Sequence, residues 1–221
     1  MKAKLSIVTL VLAFTFLGCK KKSSVNINYL YSDKPSVVDC KTTDSLLLKE
    51  ALYTFENDLL NAYDPQQQNL RKAYPGFLRN VANGRLNYQQ LVSEHAIEVF
   101  NGLKTSDLWK DGKLNYENKV FTCLGEGMKN GNLKTTYNAL LSSGYMSNKL
   151  FGAPLATQYS TVMNDKYLAT FVALDFYFSH LEGVVPAPPA PAPEKPGATN
   201  QANKPVDFNK APAQKPGLQK R

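Results

Sequence analysis

The stretch TDSLLLKEALYTFENDLLNAY, residues 43–63, decides the fold class of this 221-residue chain. Its large apolar side chains recur every three or four residues, which is the period of an α-helix with one buried face. Thr43 or Asp44 supplies a side-chain oxygen of the kind that caps a helix N-terminus. The apolar face consists of Leu48, Leu52, Phe55, Leu59 and Tyr63. We therefore expect a long first helix at the start of the folded domain.

The residues that follow predict further helices and no convincing sheet. We expect six short helices in residues 42–183, which form an all-α domain that buries roughly two-thirds of its unfolded surface. The second helix is expected to be capped by Asp64, with Pro65 in its first turn, and to be broken near Pro75 before it resumes to about Ala82.

The remaining expected helices follow from capping and apolar patterns. The third is capped by Asn87, with Gln90 at the reciprocal capping position and Leu86 packed against Leu91. Two more run from about 115 to 128 and from about 135 to 141. A long loop is expected over 144–160. The last helix follows this loop and ends before Gly183.

The chain begins with a short basic segment and an apolar run that together are typical of a secretory signal. Lys2 and Lys4 precede thirteen mostly apolar residues, 5–17. As a helix this run measures roughly 20 Å, which is shorter than the roughly 30 Å hydrocarbon core of a bilayer. Residues 1–18 are therefore expected to direct export and to be removed.

The apolar run ends in FLGC, residues 16–19, which resembles the lipobox of bacterial lipoproteins. The resemblance covers only the first two dozen residues, and Phe16 stands where the family usually has Leu. It implies that Cys19 becomes the lipidated N-terminus, so that acyl chains hold the protein in a membrane. The lysines at 20–22 would then lie at the headgroups. The absence of Asp at position 20 implies the outer membrane, in either leaflet.

The net charge of +8 is carried by the ends of the chain rather than by the expected domain. Residues 42–183 contain 13 basic and 14 acidic side chains, whereas residues 19–41 carry +3 and residues 184–221 carry +4. A nucleic-acid-binding domain usually presents a basic folded surface. We therefore expect no nucleic acid among the partners, and the basic ends suit an anionic membrane or polymer.

Two segments that flank the expected domain have the composition of linkers. Residues 19–41 include apolar side chains that alternate at positions 25, 27, 29 and 31, but no second strand is evident, so we expect an extended linker laid along helices. Residues 184–221 contain nine of the 13 prolines. This composition favours polyproline II and disorder. The tail is expected to be a spacer or a ligand for a partner groove or an anionic cell-wall polymer.

Cys40 and Cys123 are the two cysteines of the expected mature chain besides Cys19. Outside the cytoplasm such a pair is more often bridged than free. We therefore predict a Cys40–Cys123 disulfide that joins the start of the domain to its fourth helix. Two buried free thiols are the alternative.

A short internal repeat raises a calcium-binding hypothesis. NGRLNYQQ (residues 83–90) and DGKLNYEN (residues 111–118) match at an offset of 28 residues. The second copy resembles the latter half of an EF-hand loop. The calcium ligands that this resemblance implies are Asp107, Asp111, Asn115 and Glu117. Trp109 occupies a ligand position and Asn118 replaces the expected glutamate. We therefore favour a glycine turn that precedes a capped helix, with no cofactor, and keep Ca²⁺ as the alternative.

Acidic residues supply the catalytic and metal candidates. His95 and Glu98 share a helix face at a spacing that di-metal bundles use, although such a site needs further ligands. A carboxylate pair would suit a glycosidase that acts on cell-wall polymer. The glutamates on expected helices are Glu50, Glu56, Glu94, Glu98, Glu117 and Glu126.

Aromatic residues in the expected loop over 144–160 are candidates for a contact surface. Tyr145, Phe151 and Tyr159 fall in this segment. Long loops are more often functional than short ones, and aromatic side chains anchor many interfaces. A loop packed over the core is the alternative.

Together these features predict a lipid-anchored protein of the bacterial cell envelope. Its expected segments are a signal peptide (1–18), a lipidated linker (19–41), a helical domain (42–183) and a tail (184–221). We expect a non-enzymatic binding or scaffold protein, whose partners are the membrane, through Cys19, and an envelope protein or anionic cell-wall polymer. A cell-wall-active enzyme and a calcium-responsive module are the alternatives.

Overall fold

Short helices surround one long helix, which confirms the predicted all-α class. The computed structural model describes residues 25–188. Within them lie nine α-helices: α1 (Ser45–Tyr63), α2 (Leu70–Ala82), α3 (Tyr88–Leu91), α4 (Glu94–Thr105), α5 (Lys119–Gly127), α6 (Gly131–Ser143), α7 (Asn148–Thr157), α8 (Tyr159–Asn164) and α9 (Lys166–Val172). Strands β1 (Trp109–Lys110) and β2 (Lys113–Leu114) form an antiparallel hairpin. A π-helical turn, Ala173–Tyr177, and a 3₁₀ turn, Phe178–His180, follow α9.

Helix α1 is buried on more than one face. The predicted apolar face is fully buried from Leu48 to Leu59, and the helix packs against α2, α4 and the π turn. The polar residues of α1 that are also buried are Glu50, Thr54, Glu56 and Asp58. Buried polar and charged groups need hydrogen-bond partners. The elements around α1 must therefore supply donors as well as apolar side chains.

Edge-to-face aromatic pairs fill the core on both sides of α1 and α9. The rings of Phe55 and Phe77 lie 5.1 Å apart, which joins α1 to α2. Phe171 of α9 packs in the same way on Tyr137 of α6 and Phe151 of α7. Such pairs contribute about 0.5–1.5 kcal/mol each beyond the area that they bury. They fix the orientation of these helices as well as filling space.

Residues 25–40, which we call the strap, lie along α1 and α4. The strap forms no strand, although Ile27, near its start, is buried. A Cβ atom built on Gly102 of α4 would stand 2.1 Å from Cδ1 of Ile27. The missing side chain at Gly102 therefore lets the strap approach the helix, in agreement with the linker predicted to lie along helices.

The predicted start of the second helix is wrong. Helix α2 begins at Leu70, where the side chain of Asn69 caps it by accepting a backbone N–H two residues ahead, at 2.9 Å. Asp64 instead accepts the backbone N–H of Asn69 at 3.0 Å and closes a turn. Asp-Pro begins a turn as readily as it begins a helix. Pro75 lies inside α2 without ending it.

The predicted third helix is two helices. Helix α3 has only four residues, and its N-cap Asn87 makes no side-chain capping bond. Ser93 then starts α4, because its Oγ accepts the backbone N–H of Ala96 at 3.1 Å. The capping serine therefore starts a new helix, α4, within a segment whose pattern predicts one continuous helix. The fourth predicted helix likewise starts late, at Lys119, with Asn118 as its cap.

The long loop predicted over 144–160 is wrong, because α7 and α8 occupy most of it. Ser147 caps α7, and the side chain of Phe151 is fully buried between its aromatic neighbours. Gly152 and Pro154 lower the helix propensity of this segment. Burial of Phe151 offsets that loss, so the segment is helical and the predicted total of six helices is too low.

Candidate functional site

The predicted disulfide joins Cys40, at the end of the strap, to Cys123 of α5. The two Cα atoms lie 5.6 Å apart, and 83 residues separate the cysteines in sequence. The bond fixes the end of the strap that is distal to Cys19. Cys19 itself lies outside the described residues, so its lipidation stays a prediction.

The three predicted contact aromatics do not share one loop. Phe151 belongs to the core of α7, so its assignment to a contact surface is wrong. Tyr145 lies between α6 and α7 and is 71% exposed, whereas Tyr159 begins α8 and is 38% exposed. The two tyrosines remain available to solvent, but on separate elements.

The four predicted calcium ligands lie around the β1–β2 hairpin. Asp111 and the glycine after it form its turn, with φ angles of 52° and 77°, which suit the type I′ geometry of two-residue hairpins. The side-chain amide of Asn115 donates to the backbone oxygen of Asp107 at 3.1 Å. Glu117 lies 3.6 Å from Nζ of Lys110. Residues 25–188 contain no cluster of three or more His, Cys, Asp or Glu suited to a metal, and calcium binding stays a prediction.

The internal repeat has a structural role that its sequence did not reveal. Tyr88 and Tyr116 occupy the same position in the two copies. The hydroxyl of Tyr88 donates to the backbone oxygen of Phe176 at 2.8 Å, and the hydroxyl of Tyr116 donates to the carboxylate of Asp175. The two copies therefore hold neighbouring residues of the π turn.

Three side chains form what we call the carboxylate clamp: Glu50 of α1, and His95 and Glu98 of α4. His95 Nε2 lies 2.8 Å from Oε1 of Glu50, and Nδ1 lies 3.2 Å from Oε2 of Glu98. The predicted shared face of His95 and Glu98 is confirmed. The imidazole ring of His95 therefore bridges the two carboxylates, with one ring nitrogen facing each of them.

The clamp also binds the backbone of the strap. Glu50 accepts the N–H groups of Leu30, at 2.7 Å, and Tyr31, at 3.0 Å. Glu98 accepts the N–H of Asn28 at 2.9 Å. That backbone hydrogen bond, and then the one from His95, hold the pKa of Glu98 below its ordinary value. All four carboxylate oxygens of the clamp therefore have protein partners.

Asp58 continues the buried polar face of α1 beyond the clamp. It accepts hydrogen bonds from the N–H of Ser93, at 2.9 Å, from the Ser93 hydroxyl, at 3.1 Å, and from the hydroxyl of Tyr177. Burial raises the pKa of Asp58, while the bonds from Tyr177 and Ser93 oppose that rise. Asp58 thus ties α1 to the start of α4 and to the π turn.

Asp175 is the acidic residue at the centre of the π turn. Burial raises its pKa to about 6, and the hydrogen bond from Tyr116 opposes the shift. Its Oδ2 atom is buried and has no hydrogen-bond partner within the described chain. π-Helical turns often occur at functional positions. Burial therefore favours the protonated form of Asp175 inside the core.

The other catalytic candidates are either engaged or dispersed. Glu56 lies 2.7 Å from Nζ of Lys166 and accepts the hydroxyl of Tyr74 at 3.0 Å. Glu94, Glu117 and Glu126 are exposed on α4, after the hairpin and on α5. The pair of predicted glutamates that the described structure brings to one cluster is Glu50 and Glu98, with His95 between them.

Part of this cluster had a signal in the sequence. Glu50, Thr54 and Asp58 recur at intervals of four residues, on the side of α1 away from the apolar face. That spacing marks a continuous polar stripe, which is common on an exposed helix. The stripe is buried because α4 and the strap pack against it. The sequence around α1 does not predict that packing.

No protein-family model matches the chain, and neither the curated proteins nor the solved structures that were compared include a match. Among residues 25–188, no helix has the length and apolarity needed to cross a membrane.

Proposed function

We propose that the protein is a lipid-anchored, non-enzymatic binding or scaffold protein of the bacterial cell envelope. Cys19 would carry the lipid, and the helical domain would be held at the membrane surface, with the outer membrane as the expected location. The rest of the proposal rests on how the chain behind Cys19 is attached to the domain.

The observation that carries the proposal is the double attachment of the strap. The carboxylate clamp holds residues 28–31 at one end, and the Cys40–Cys123 disulfide fixes the other. Eight residues lie between Cys19 and Asn28, so the nine Cα–Cα steps that join them span at most roughly 32 Å. A lipid on Cys19 would therefore keep the domain close to its membrane.

The hydrogen bonds and ion pair made by Glu50, Glu98 and Glu56 support binding rather than catalysis. Glu50 and Glu98 accept hydrogen bonds from the strap and from His95, and Glu56 is paired with Lys166. A glycosidase acid must reach the glycosidic oxygen of its substrate. A substrate could reach Glu50 only by displacing the strap. The clamp therefore fits a structural role better than a role in hydrolysis.

The C-terminal segment would extend from the same body toward a partner. The N–H of Ala187 donates to the backbone oxygen of Gln89 at 2.7 Å, so the segment leaves the domain beside α3. The 33 residues from 189 to 221 lie outside the described structure. Their basic, proline-rich sequence suits an anionic cell-wall polymer or serves as a spacer.

Metabolic labelling of Cys19→Ala with a fatty-acid analogue tests the anchor. Wild-type protein should incorporate the label and fractionate with outer membranes, whereas the variant should do neither, because no other residue in the lipobox-like sequence supplies a thiol. Cys40→Ser with Cys123→Ser is the matched cysteine control and should retain the label. Label that persists in Cys19→Ala would refute lipidation at this residue.

A further inference from the structure

A polar cleft lies where the ends of α1 and α2 meet α3. Its volume is about 240 Å³, room for roughly eight water molecules at about 30 Å³ each. We call it the amide cleft, and its polar lining residues are Tyr63, Asn80, Arg85, Asn87 and Gln90. It is separate from the carboxylate clamp and contains none of the clamp residues.

The amide cleft is rich in hydrogen-bond donors. Asn80 Nδ2 donates to the hydroxyl oxygen of Tyr63 at 3.1 Å, so the Tyr63 proton is free to point toward a ligand. Burial raises the pKa of Tyr63 and thereby keeps that proton in place. Asn87 and Gln90 add side-chain amides. These groups would fit a ligand that carries many oxygen acceptors.

The cleft also selects for negative charge. None of its described lining residues is acidic. Arg85 is exposed, and within residues 25–188 its guanidinium forms no ion pair. An arginine that lacks a protein partner can bind a carboxylate through two parallel N–H···O contacts. With no lining acid to receive an ammonium group, a free amino acid fits less well than a simple carboxylate.

An aromatic surface adjoins the cleft. Leu86 lines both the amide cleft and a second cavity, of about 270 Å³, which also contacts Tyr88 and His180. The rings of Tyr88 and His180 are stacked, with centroids 5.1 Å apart and an angle of 19°. Burial lowers the pKa of His180, which favours the neutral ring. A flat aromatic surface beside amide groups suits the apolar face of a sugar ring.

We propose that the amide cleft binds an acidic carbohydrate, with its carboxylate on Arg85, its hydroxyl groups on Tyr63 and the side-chain amides, and a neighbouring sugar ring near Tyr88. This proposal names a ligand class for the proposed binding protein. It rests on the proposed function only in assuming that the protein meets this ligand in the cell envelope. Two sources of the same chemistry are a murein fragment and a uronic-acid oligosaccharide.

Titration calorimetry on the full-length chain in detergent, at low and high salt, tests the site. The probes are the peptide-free murein disaccharide that ends in N-acetylmuramic acid, a short oligogalacturonate, and the same oligogalacturonate with its carboxylates reduced to alcohols. At least one acidic probe should bind, and reduction should weaken binding by about tenfold or more, as expected for loss of a charge-assisted hydrogen bond. The acidic probe that binds more tightly identifies the source.

Variants locate the binding to the cleft. Arg85→Ala should weaken binding of the acidic probe by about tenfold or more, and Tyr63→Phe should weaken it by a smaller factor. Arg79→Ala removes an exposed arginine of α2 that lines neither cavity, and it should bind like the wild type. Circular dichroism should show unchanged helix content in all three, since Arg85 is exposed and the Tyr63 ring is retained.

Several results would overturn the proposal: no binding of either acidic probe, equal binding of the reduced probe, or equal losses in Arg85→Ala and Arg79→Ala. These results are independent of the anchor, because the calorimetry uses purified protein. Conversely, failure of the Cys19 labelling experiment would refute the membrane attachment and leave this binding measurement as it stands.

Discussion

At Gly102 the strap comes so close to α4 that a Cβ atom would lie 2.1 Å from Ile27 Cδ1 and 2.9 Å from Ile27 Cγ1. From the sequence, a glycine inside a helix indicates only a loss of helix propensity. In the folded chain, Gly102 makes room for the side chain of Ile27, which lies 75 positions earlier in the sequence. The close contact between Gly102 and Ile27 therefore could not be predicted from the local sequence pattern.

Gly102→Ala should lower the free energy of unfolding, since overpacking a filled site costs about 1–3 kcal/mol and exceeds the gain in helix propensity of about 1 kcal/mol. In an Ile27→Ala background the same change should cost at least about 1 kcal/mol less, because the clashing atoms are gone. Urea unfolding of the four chains measures the coupling. Gly131→Ala, where an added Cβ meets nothing within 4 Å, is the control. Additive effects of the two changes would contradict the contact.

Asp175 should make the protein less stable as the pH rises. Burial raises its folded-state pKa from 3.8 to about 6, so the folded state binds its proton more tightly than the unfolded state. This stabilising contribution is complete below pH 3.8 and is lost as the pH rises through about 6. The difference corresponds to about 3 kcal/mol, at 1.36 kcal/mol per pKa unit.

Asp175→Asn should therefore flatten the fall in unfolding free energy between pH 4 and pH 7, as measured by urea denaturation at a series of pH values. Part of the pH dependence should remain in the variant, because the pKa of Asp58 is also raised. Asp33→Asn replaces an exposed carboxylate and serves as the matched control. If the variant and the wild type keep the same slope, Asp175 does not titrate in this range.

At the scale of single elements, sequence patterns succeed where burial follows a regular period. The sequence predicts helix α1 because its apolar face repeats at five positions over about four turns. Helix α7 was missed because Gly152 and Pro154 suggest a loop, while its stability comes from Phe151 in an aromatic cluster whose other members are distant in sequence. Capping residues shifted the boundaries of α2 and α4 for the same reason: Asp64 and Ser93 each fit two local structures.

The carboxylate clamp should control local opening of the strap. Glu50→Gln replaces an acceptor oxygen with an amide donor and removes the charge beside His95, so hydrogen exchange at Leu30 and Tyr31 should accelerate by at least about tenfold. Loss of this buried hydrogen-bond acceptor should also lower the global free energy of unfolding by about 1–3 kcal/mol. Exchange measured by NMR at individual amides tests both effects.

Two variants of α4 define the specificity of that effect. Glu98→Gln should accelerate exchange mainly at Asn28, whose N–H it accepts, and should change global stability less, since Glu98 is partly exposed. Glu94→Gln, an exposed neighbour at the start of α4, should leave all strap amides protected. Uniform acceleration in every variant would mean that the strap opens without regard to the clamp.

At the scale of the whole molecule, the sequence predicts the helical class from its apolar periodicity, and it predicts the pairing of the two cysteines from the expected export of the chain. It could not predict that the strap, α1 and α4 meet around one histidine, since those contacts join segments far apart in the chain. The amide cleft could not be predicted for the same reason. Its polar side chains come from α1, α2, α3 and the loop before α3, and they form no recognisable pattern in the sequence.

The disulfide should contribute about 4 kcal/mol through the unfolded state, as expected for a closed loop of this length in the chain-entropy model. Replacing both cysteines, Cys40→Ser with Cys123→Ser, should lower the free energy of unfolding by that amount in urea. Mass spectrometry after alkylation of unreduced, exported protein should find neither thiol modified. Two alkylated cysteines in that material would contradict the bond.

The double attachment of the strap has a consequence for the order in which the protein folds. Translation makes the strap before its partners: Glu98 follows Asn28 by 70 residues, and Cys123 follows Cys40 by 83. Contacts between such distant positions form late, because the intervening chain must first be ordered. Glu50, by contrast, follows Leu30 by only 20 residues, so the contacts with Glu98 and Cys123 are the part of the strap's attachment that we expect to form last. A lipid added at Cys19 would reach the bilayer before the domain beside it has closed, so the membrane would be present during the final step of folding.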